Sequence, residues 1–396
     1  MRLLEHQAKE LLAEAGLSVP RGALVTRAED VPDLAEEYGP GVVVKAQIRA
    51  GGRGKAGGIL TADGPTDARL AAEQLLGSEL KGERVEAVLV EERAEAASEL
   101  YLAVLTDREA GRPLVLLRRA GGVDVESAAA QDPSTVARVQ VDMALGLFDY
   151  QVRYLVNRAG LPTELVVGVA DAVRRLEHVY RRYDALLAEI NPLAVLADER
   201  VVALDARVEV DDNALFRQPR IAALRALSPR QARIEAAGFH FIEMEGSVGL
   251  ISTGSGACMA LMDLLAARKL GPANFMELGQ SMGTGGAEVA TEVLLENSRV
   301  EALLVAGYSG GPLDKLAGGV LQVLAQRPKR AIPVVLSLQG RNDSEAMRLV
   351  AESNDPRVHA VAGYEQAVDR MTELIGCRVS GLSASETPHP RPDELR

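Results

Sequence analysis

The chain has 396 residues, enough for two or three compact units at about 150 residues each, and its 47% hydrophobic and 25% charged content excludes wholesale disorder. Forty-four Lys and Arg against 56 Asp and Glu give a formal charge of -12, which opposes a nucleic-acid backbone or an anionic membrane surface as the main partner. Two cysteines, Cys258 and Cys377, exclude a disulfide framework, and the longest uncharged run, 246–262, is too short and too rich in Gly, Ser and Thr to cross a membrane.

The opening MRLLEHQAKELL is charged where a signal peptide needs an apolar core, so the cytoplasm is the expected compartment. Leu4, Leu11 and Leu12 predict a helix over 3–15, which Gly16, Val19 and Pro20 end in favour of extended chain. Strands are expected at 42–48, 87–91, 100–106, 114–117, 185–190 and 201–208, an irregular spacing that argues α+β. A helix over 164–183 precedes the last two strands, and the short link through Ala197, Asp198 and Glu199 predicts a hairpin.

Residues 217–239, rich in Arg, Ala and Gln, read as a helical connector without a strand. From Val248 the text alternates strand and helix: VGLIST, ALLVAG, IPVVLSL and VHAVAG, with helices ending near Lys269 and over 287–297, 313–326, 344–353 and 364–376. That alternation predicts right-handed βαβ units on a parallel, doubly wound α/β sheet. The expected organisation is a first domain over 1–225, a connector over 226–240, a second domain over 241–380 and a disordered tail, SASETPHPRPDELR, over 381–396.

The densest chemical signal is Lys45, at the end of a β-branched run, followed by AGGRGKAGG over 50–58. Glycines let a backbone approach phosphate and donate N–H groups to it, while Arg53 and Lys55 add charge; the alternative is a surface loop with incidental bases. The pattern is neither a Walker A sequence nor a Rossmann fingerprint. Further on, AEINPL sets Glu189 and Asn191 two apart in an expected strand, and LDAR sets Asp205 and Arg207 likewise, so one hairpin could gather all four. One carboxylate and one amide suit a nucleotide-bound Mg²⁺, which keeps waters and phosphates among its ligands. A structural ion pair between Glu189 and Arg207 is the competing reading.

QAKELL, VVVKAQIRAGGRGKAGG, VEERAEAASELYL, AGGVDVE, AEINPL, LDARVEVDDNALFRQP and PANFMELG, in this order over nearly the whole chain, resemble the β subunit of succinate–CoA ligase, ADP-forming type. The resemblance implies an ATP-grasp domain followed by a flavodoxin-like CoA-ligase domain. It implies Mg²⁺, ATP and ADP (or GTP and GDP) and CoA, in a ligase of the tricarboxylic acid cycle. Lys45, Gly52, Arg53 and Gly54 match positions that hold nucleotide phosphates; Glu91, Ala94 and Glu99 match the segment lining adenine and ribose. Asn191 and Asp205 match Mg²⁺ ligands, and Glu189 matches a catalytic carboxylate that meets a phosphohistidine carried by an α subunit, in a heterodimer or heterotetramer.

None of His6, His178, His240, His359 and His389 lies in a glycine-rich phosphate loop, so all five read as solvated or locally bonded and the reactive histidine is expected from the partner. Thr253, Gly254, Ser255 and Gly256 lead from a strand into a helix and offer a seat for phosphate, the alternative being a tight turn without ligand; Cys258 reads as a buried small residue. Gly310, Gly311, Pro312 and Leu313 are further candidate substrate contacts. This acyl half departs from the family: Thr253 replaces Asn, ELGQSMGTGGA replaces D-x-G-G-G-A, and YSGGPLD replaces F-G-G-I followed by Arg-Cys-Asp. The expected activity is an NDP-forming acyl-CoA ligase that acts only with an α subunit, with succinate as default acid. The alternatives are another acid such as malate or citrate, or a catalytically silent nucleotide-binding regulatory subunit.

Overall fold

The computed structural model describes residues 1–119, 135–225, 227–283 and 285–379; the AGGVDVE segment and the tail over 381–396 lie outside these. The chain divides into two compact units, Met1–Arg225 and Ala226–Arg396. The first runs α1 (Glu5–Glu14), β1 (Gly22–Val25), α2 (Val31–Tyr38), β2 (Val42–Ala46), β3 (Ile59–Ala62), α3 (Pro65–Leu75), β4 (Glu79–Leu80), β5 (Glu83–Arg84) and β6 (Val88–Glu92). It continues with β7 (Ser98–Asp107), β8 (Arg112–Arg118), β9 (Ala137–Gln140), α4 (Asp149–Arg158), α5 (Val166–Arg182), β10 (Ala185–Val195), β11 (Val201–Ala203), β12 (Arg207–Val210) and α6 (Pro219–Ala223).

Two antiparallel sheets organise this unit. The smaller has the order β1-β6-β2-β3 and packs Val42, Val44, Val88 and Val90 against Val31 and Ala35 of α2 and Ala68, Ala72 and Leu75 of α3. The larger runs β11-β10-β7-β8-β9, with β12 also pairing β10. Its core receives α5, whose Val169, Val173, Leu176 and Tyr180 recur every three or four residues on one face, and Ala8, Leu11 and Leu12 of α1. The expected hairpin is present, since β10 and β11 pair from Leu193↔Ala203 to Val195↔Val201. The strand expected over 201–208 is instead two short ones, because the chain turns a corner at Leu204–Ala206. β11 pairs the end of β10 and β12 pairs its start.

The second unit runs α7 (Pro229–Ala237), β13 (His240–Glu243), β14 (Val248–Ser252), α8 (Ser255–Ala267), β15 (Asn274–Glu277), α9 (Gly286–Glu296), β16 (Ala302–Ser309), α10 (Leu313–Gln326), β17 (Val334–Gly340), α11 (Asp343–Ser353), β18 (Val358–Ala360) and α12 (Tyr364–Val379). Its sheet has the order β13-β15-β14-β16-β17-β18. Apart from the antiparallel edge strand β13, all strands are parallel, and numbered among themselves they read 2-1-3-4-5, the flavodoxin-like order. Alternation along β16 feeds two cores: Leu303 and Val305 pack with α9 and α10, whereas Ala302, Leu304 and Ala306 pack with α8 and α12.

The segment expected to be a connector is part of this unit. α7 opens with Ser228 and Gln231 in a reciprocal capping box, closes on Gly238 at φ 78°, and buries Ile234 in the α9–α10 core. Strands β13 and β15 were not expected from the sequence. Both are four residues long, too short for alternation to show.

Candidate functional site

The chemistry of the first unit gathers where α1 meets the smaller sheet. Glu5 and Lys9, one turn apart on α1, face Lys45 of β2 and Glu91 of β6, and all four are buried. Lys9 Nζ lies 2.5 and 2.7 Å from the two Glu91 oxygens and 3.1 Å from Glu5 Oε1. Lys45 Nζ lies 2.6 Å from Glu91 Oε2 and 3.1 Å from Glu5 Oε1, and donates to the Leu204 carbonyl at 2.6 Å. Arg53, also buried, pairs with Glu5 Oε2 and reaches Asp205 Oδ1 at 3.1 Å, while its Nη1 donates to the Ala46 carbonyl. Three cations therefore meet three carboxylates.

Burial opposes ionisation of Glu5, yet Lys45, Lys9 and Arg53 together hold its carboxyl far below the usual carboxylate range. Burial likewise opposes the charge on Lys45, but Glu5, Glu91 and Asp205 raise it above an ordinary lysine. Lys9 goes the other way, lowered by burial and by Lys45. Asp205 is raised by burial and by the nearby charge of Glu5.

The glycine loop leaves β2 and returns along β3. Gly52 at φ 73° and Gly57 at φ 79° take left-handed conformations closed to most side chains, whereas Gly54 does not. The N–H of Gly58 and that of Ala56 both bond back to the Arg53 carbonyl. Two further cations approach from distant elements. A methyl group placed on Gly51 would lie 3.9 Å from Arg207 Nη1 of β12, and one on Gly52 would lie 3.8 Å from Lys81 Nζ in the β4–β5 turn.

Glu189 and Arg207 stand opposite each other in the β10–β12 ladder, and among the described residues Arg207 also approaches Glu209, at 3.7 Å. The ladder between β10 and β7 shifts register between Ile190 and Leu193, so strict alternation does not extend from Glu189 through Asn191. Leu204 N–H donates to the Pro192 carbonyl at 3.1 Å, which ties the chain segment before Asp205 to the one after Asn191. Ala94 lines a cleft of about 730 Å³ together with Val19, Pro20, Glu95, Leu196 and Val202. Glu91, expected along the same wall, instead turns into the charge cluster, because Lys9 and Lys45 claim both its oxygens. Glu99 is exposed near the start of β7, opposite Ala194.

In the second unit the candidate turns follow adjacent parallel strands, Thr253–Gly256 after β14 and Gly310–Leu313 after β16. These strands flank the point where the order reverses, where ligands of such sheets bind. Thr253 is 9% exposed, and its buried Oγ1 has no hydrogen-bond partner among the described residues. Gly254 caps α8, no atom lies within 4 Å of a methyl placed on it or on Gly256, and Ser255 Oγ lies 3.2 Å from Glu277 Oε2. Gly310 is similarly open, and Pro312 caps α10 without an N–H to offer. Leu313 corrects the expectation: its side chain is fully buried in the core and its N–H bonds to the Arg341 carbonyl, so it makes no substrate contact. Cys258 is buried, and burial pushes its thiol up, away from reactivity.

The sequence reading names Arg207 only as a hairpin neighbour of Asp205 and an ion-pair candidate for Glu189, and does not single out Glu5, Lys9 or Lys81. Glu5 and Lys9 did leave a signal, since with Leu12 they continue at helical spacing along the inward face of α1. No helix among the described residues is long and apolar enough to cross a membrane.

A family model described as an ATP-grasp domain matches residues 2–195, and one described as a CoA-ligase matches residues 251–370. The succinate–CoA ligase (ADP-forming) subunit beta of Rubrobacter xylanophilus is 38% identical over 380 residues, covering 94% of this chain and 98% of that protein. Subunit beta 1 of the same ligase from Archaeoglobus fulgidus is 37% identical over 391 residues, covering 95% and 100%. Among solved structures, the ATP citrate lyase of Methanothrix soehngenii in complex with citrate and coenzyme A matches with a TM-score of 0.74 at 20% identity, over 94% of this chain and 99% of that one, a likeness of fold. With relatives this similar along almost its whole length, and with an ATP-grasp domain leading into a CoA-ligase domain of flavodoxin-like strand order, the chain belongs to the family of ADP-forming succinate–CoA ligase β subunits.

Proposed function

We propose that the chain is the nucleotide-binding subunit of an NDP-forming acyl-CoA ligase, working with an α-type subunit that brings CoA and a phosphorylatable histidine. The observation that carries this reading is the constellation of buried Lys45, Arg53, Glu5 and Glu91 with half-buried Asp205, in which Arg53 belongs to the glycine loop, together with a cleft of the same unit lined by Ala94. Glu5 and Glu91 fix the Lys45 ammonium in place and keep it charged; with the Leu204 carbonyl they occupy its three donors, so a nucleotide phosphate binds there by replacing one of these partners. The loop backbone around Gly52 and Gly54 supplies N–H donors, and the cleft accepts the base and ribose. Glu189, on the strand beside Arg207, orients the incoming imidazole and favours its charged form.

Asp205 and Asn191 fit a Mg²⁺ that rides on the nucleotide. They offer one carboxylate and one amide on neighbouring chain segments, and the contacts Asp205 makes among the described residues use Oδ1. Bound there, the ion would neutralise phosphate charge.

For the acid, the relatives' name makes succinate the first candidate, while the buried Thr253 hydroxyl, unpartnered among the described residues, and the altered turns around Gly310 and Pro312 support a pocket reshaped from the family pattern. The test mixes the chain with an α-type subunit and follows CoA-dependent ADP formation from ATP and Mg²⁺ across succinate, malate, citrate and short monocarboxylates. Turnover with one acid names the substrate. Absence of turnover with every acid, with ATP binding intact, would replace this reading by a regulatory subunit.

A further inference from the structure

We infer that Arg207 is a phosphate-contact residue that reads the terminal phosphoryl group of the nucleotide, so that it separates triphosphate from diphosphate. The inference rests on the nucleotide reading above and adds a residue to it.

The argument begins with charge. Lys9, Lys45 and Arg53 are met by Glu5, Glu91 and Asp205, so the buried cluster contributes position more than net positive potential. On the strand beside it the balance differs. Arg2 and Arg207 share one carboxylate, Glu209, at 3.4 and 3.7 Å, and Arg2 spends its Nη1 on the Arg49 carbonyl at 3.0 Å. Two guanidinium groups thus share the Glu209 carboxylate, and the long 3.7 Å contact leaves that of Arg207 only loosely tied.

Geometry then says where that charge acts. Arg207 Nε is buried with no hydrogen-bond partner among the described residues, a group that costs free energy unless something accepts from it. Nη1 reaches beneath the glycine loop, 3.9 Å from a methyl placed on Gly51. Along the ladder Arg207 is directly opposite Glu189, and along the chain it follows Asp205 by two residues. A guanidinium fork with unspent donors, between the loop and the carboxylate proposed to meet the histidine, is placed at the far end of a triphosphate and matches its oxygens bidentately.

The test is calorimetric titration of the full chain with ATP and with ADP, each with Mg²⁺. The wild-type chain binds both. Arg207→Gln is expected to lose ATP affinity by about tenfold or more, with ADP affinity unchanged to within about twofold. Arg207→Lys recovers part of the loss through charge without the fork. Equal losses for ATP and ADP, or no loss for either, overturn the inference and leave the nucleotide reading standing. A wild-type chain that binds neither nucleotide removes both. Should Arg207→Gln fail to fold by circular dichroism, Arg207→Lys decides alone: an ATP-selective loss supports the role, and an unchanged ATP-to-ADP ratio overturns it.

Discussion

Glu5 is 4% exposed, and its carboxylate meets Lys9, Lys45 and Arg53. Removing one member of such a buried set leaves uncompensated charge, so Glu5→Gln is expected to lower unfolding free energy by about 3–5 kcal/mol at neutral pH, read by urea titration. The pH dependence has a definite sign. The folded chain keeps Glu5 ionised below its ordinary value of 4.5, so the unfolded chain takes up the proton first as pH falls. The contribution is full above that ordinary value and fades below it, and the stability gap between wild type and Glu5→Gln should shrink as the pH is lowered from 7 toward 3. Asp205, whose folded value is raised, has the opposite sign: its ionised form costs stability at neutral pH, and acid relieves that cost. Asp205→Ala is expected to weaken Mg²⁺-nucleotide binding by about tenfold or more, whereas Thr253→Ala leaves it unchanged; calorimetry giving the reverse ranking would sink the assignment of Asp205 to the metal.

At the scale of elements, the Thr253 and Leu313 side chains close over Gly307 behind the candidate acyl turns, so any larger residue there must displace one of them. A methyl there would lie 2.8 Å from Thr253 Cγ2 and 2.9 Å from Leu313 Cδ2. Gly307→Ala must push one turn aside, at a cost of about 1–3 kcal/mol. Because Thr253 and Leu313 lead into α8 and α10, the displacement should also raise the KM for the acid while nucleotide KM stays unchanged in steady-state assays with the partner subunit. The same crowding explains why Leu313 belongs to packing: as the first residue of α10 it plugs the space that Gly307 leaves. The corner at Leu204–Ala206 is the counterpart in the first unit. By breaking one expected strand into β11 and β12, it lets Asp205 leave the ladder and turn toward Arg53.

At the scale of the whole molecule, the two units hold separate cores and separate candidate chemistries, nucleotide in the first and acyl group in the second. A ligand that binds only the native first unit stabilises it by mass action, by about 2.7 kcal/mol at a hundred times its dissociation constant. Amide exchange in β2, β6 and β10 is therefore expected to slow on adding Mg²⁺-ATP, while exchange in β14, β16 and β17 is unchanged; hydrogen-exchange mass spectrometry resolves the two sets. Slowing confined to the second unit would contradict the placement of the nucleotide.

Much of this was legible in the sequence, for identifiable reasons. Strict alternation of apolar strands and helices after Val248 determined a parallel sheet, because a right-handed crossover is the one common way to join such elements, and glycine clustering after Lys45 marked a loop able to approach phosphate. What local pattern cannot encode is pairing across distance. The partners of Lys45 lie 40 residues before it and 46 after it, at Glu5 and Glu91, and a charged residue on a helix reads as solvated until a second element closes over it. The register shift after Ile190, the burial of Leu313, the absorption of α7 into the second unit and the approach of Arg207 to Gly51 are of the same kind. Each depends on which surfaces the folded chain brings within a few ångströms, and that is decided by packing between elements rather than by the periodicity within one.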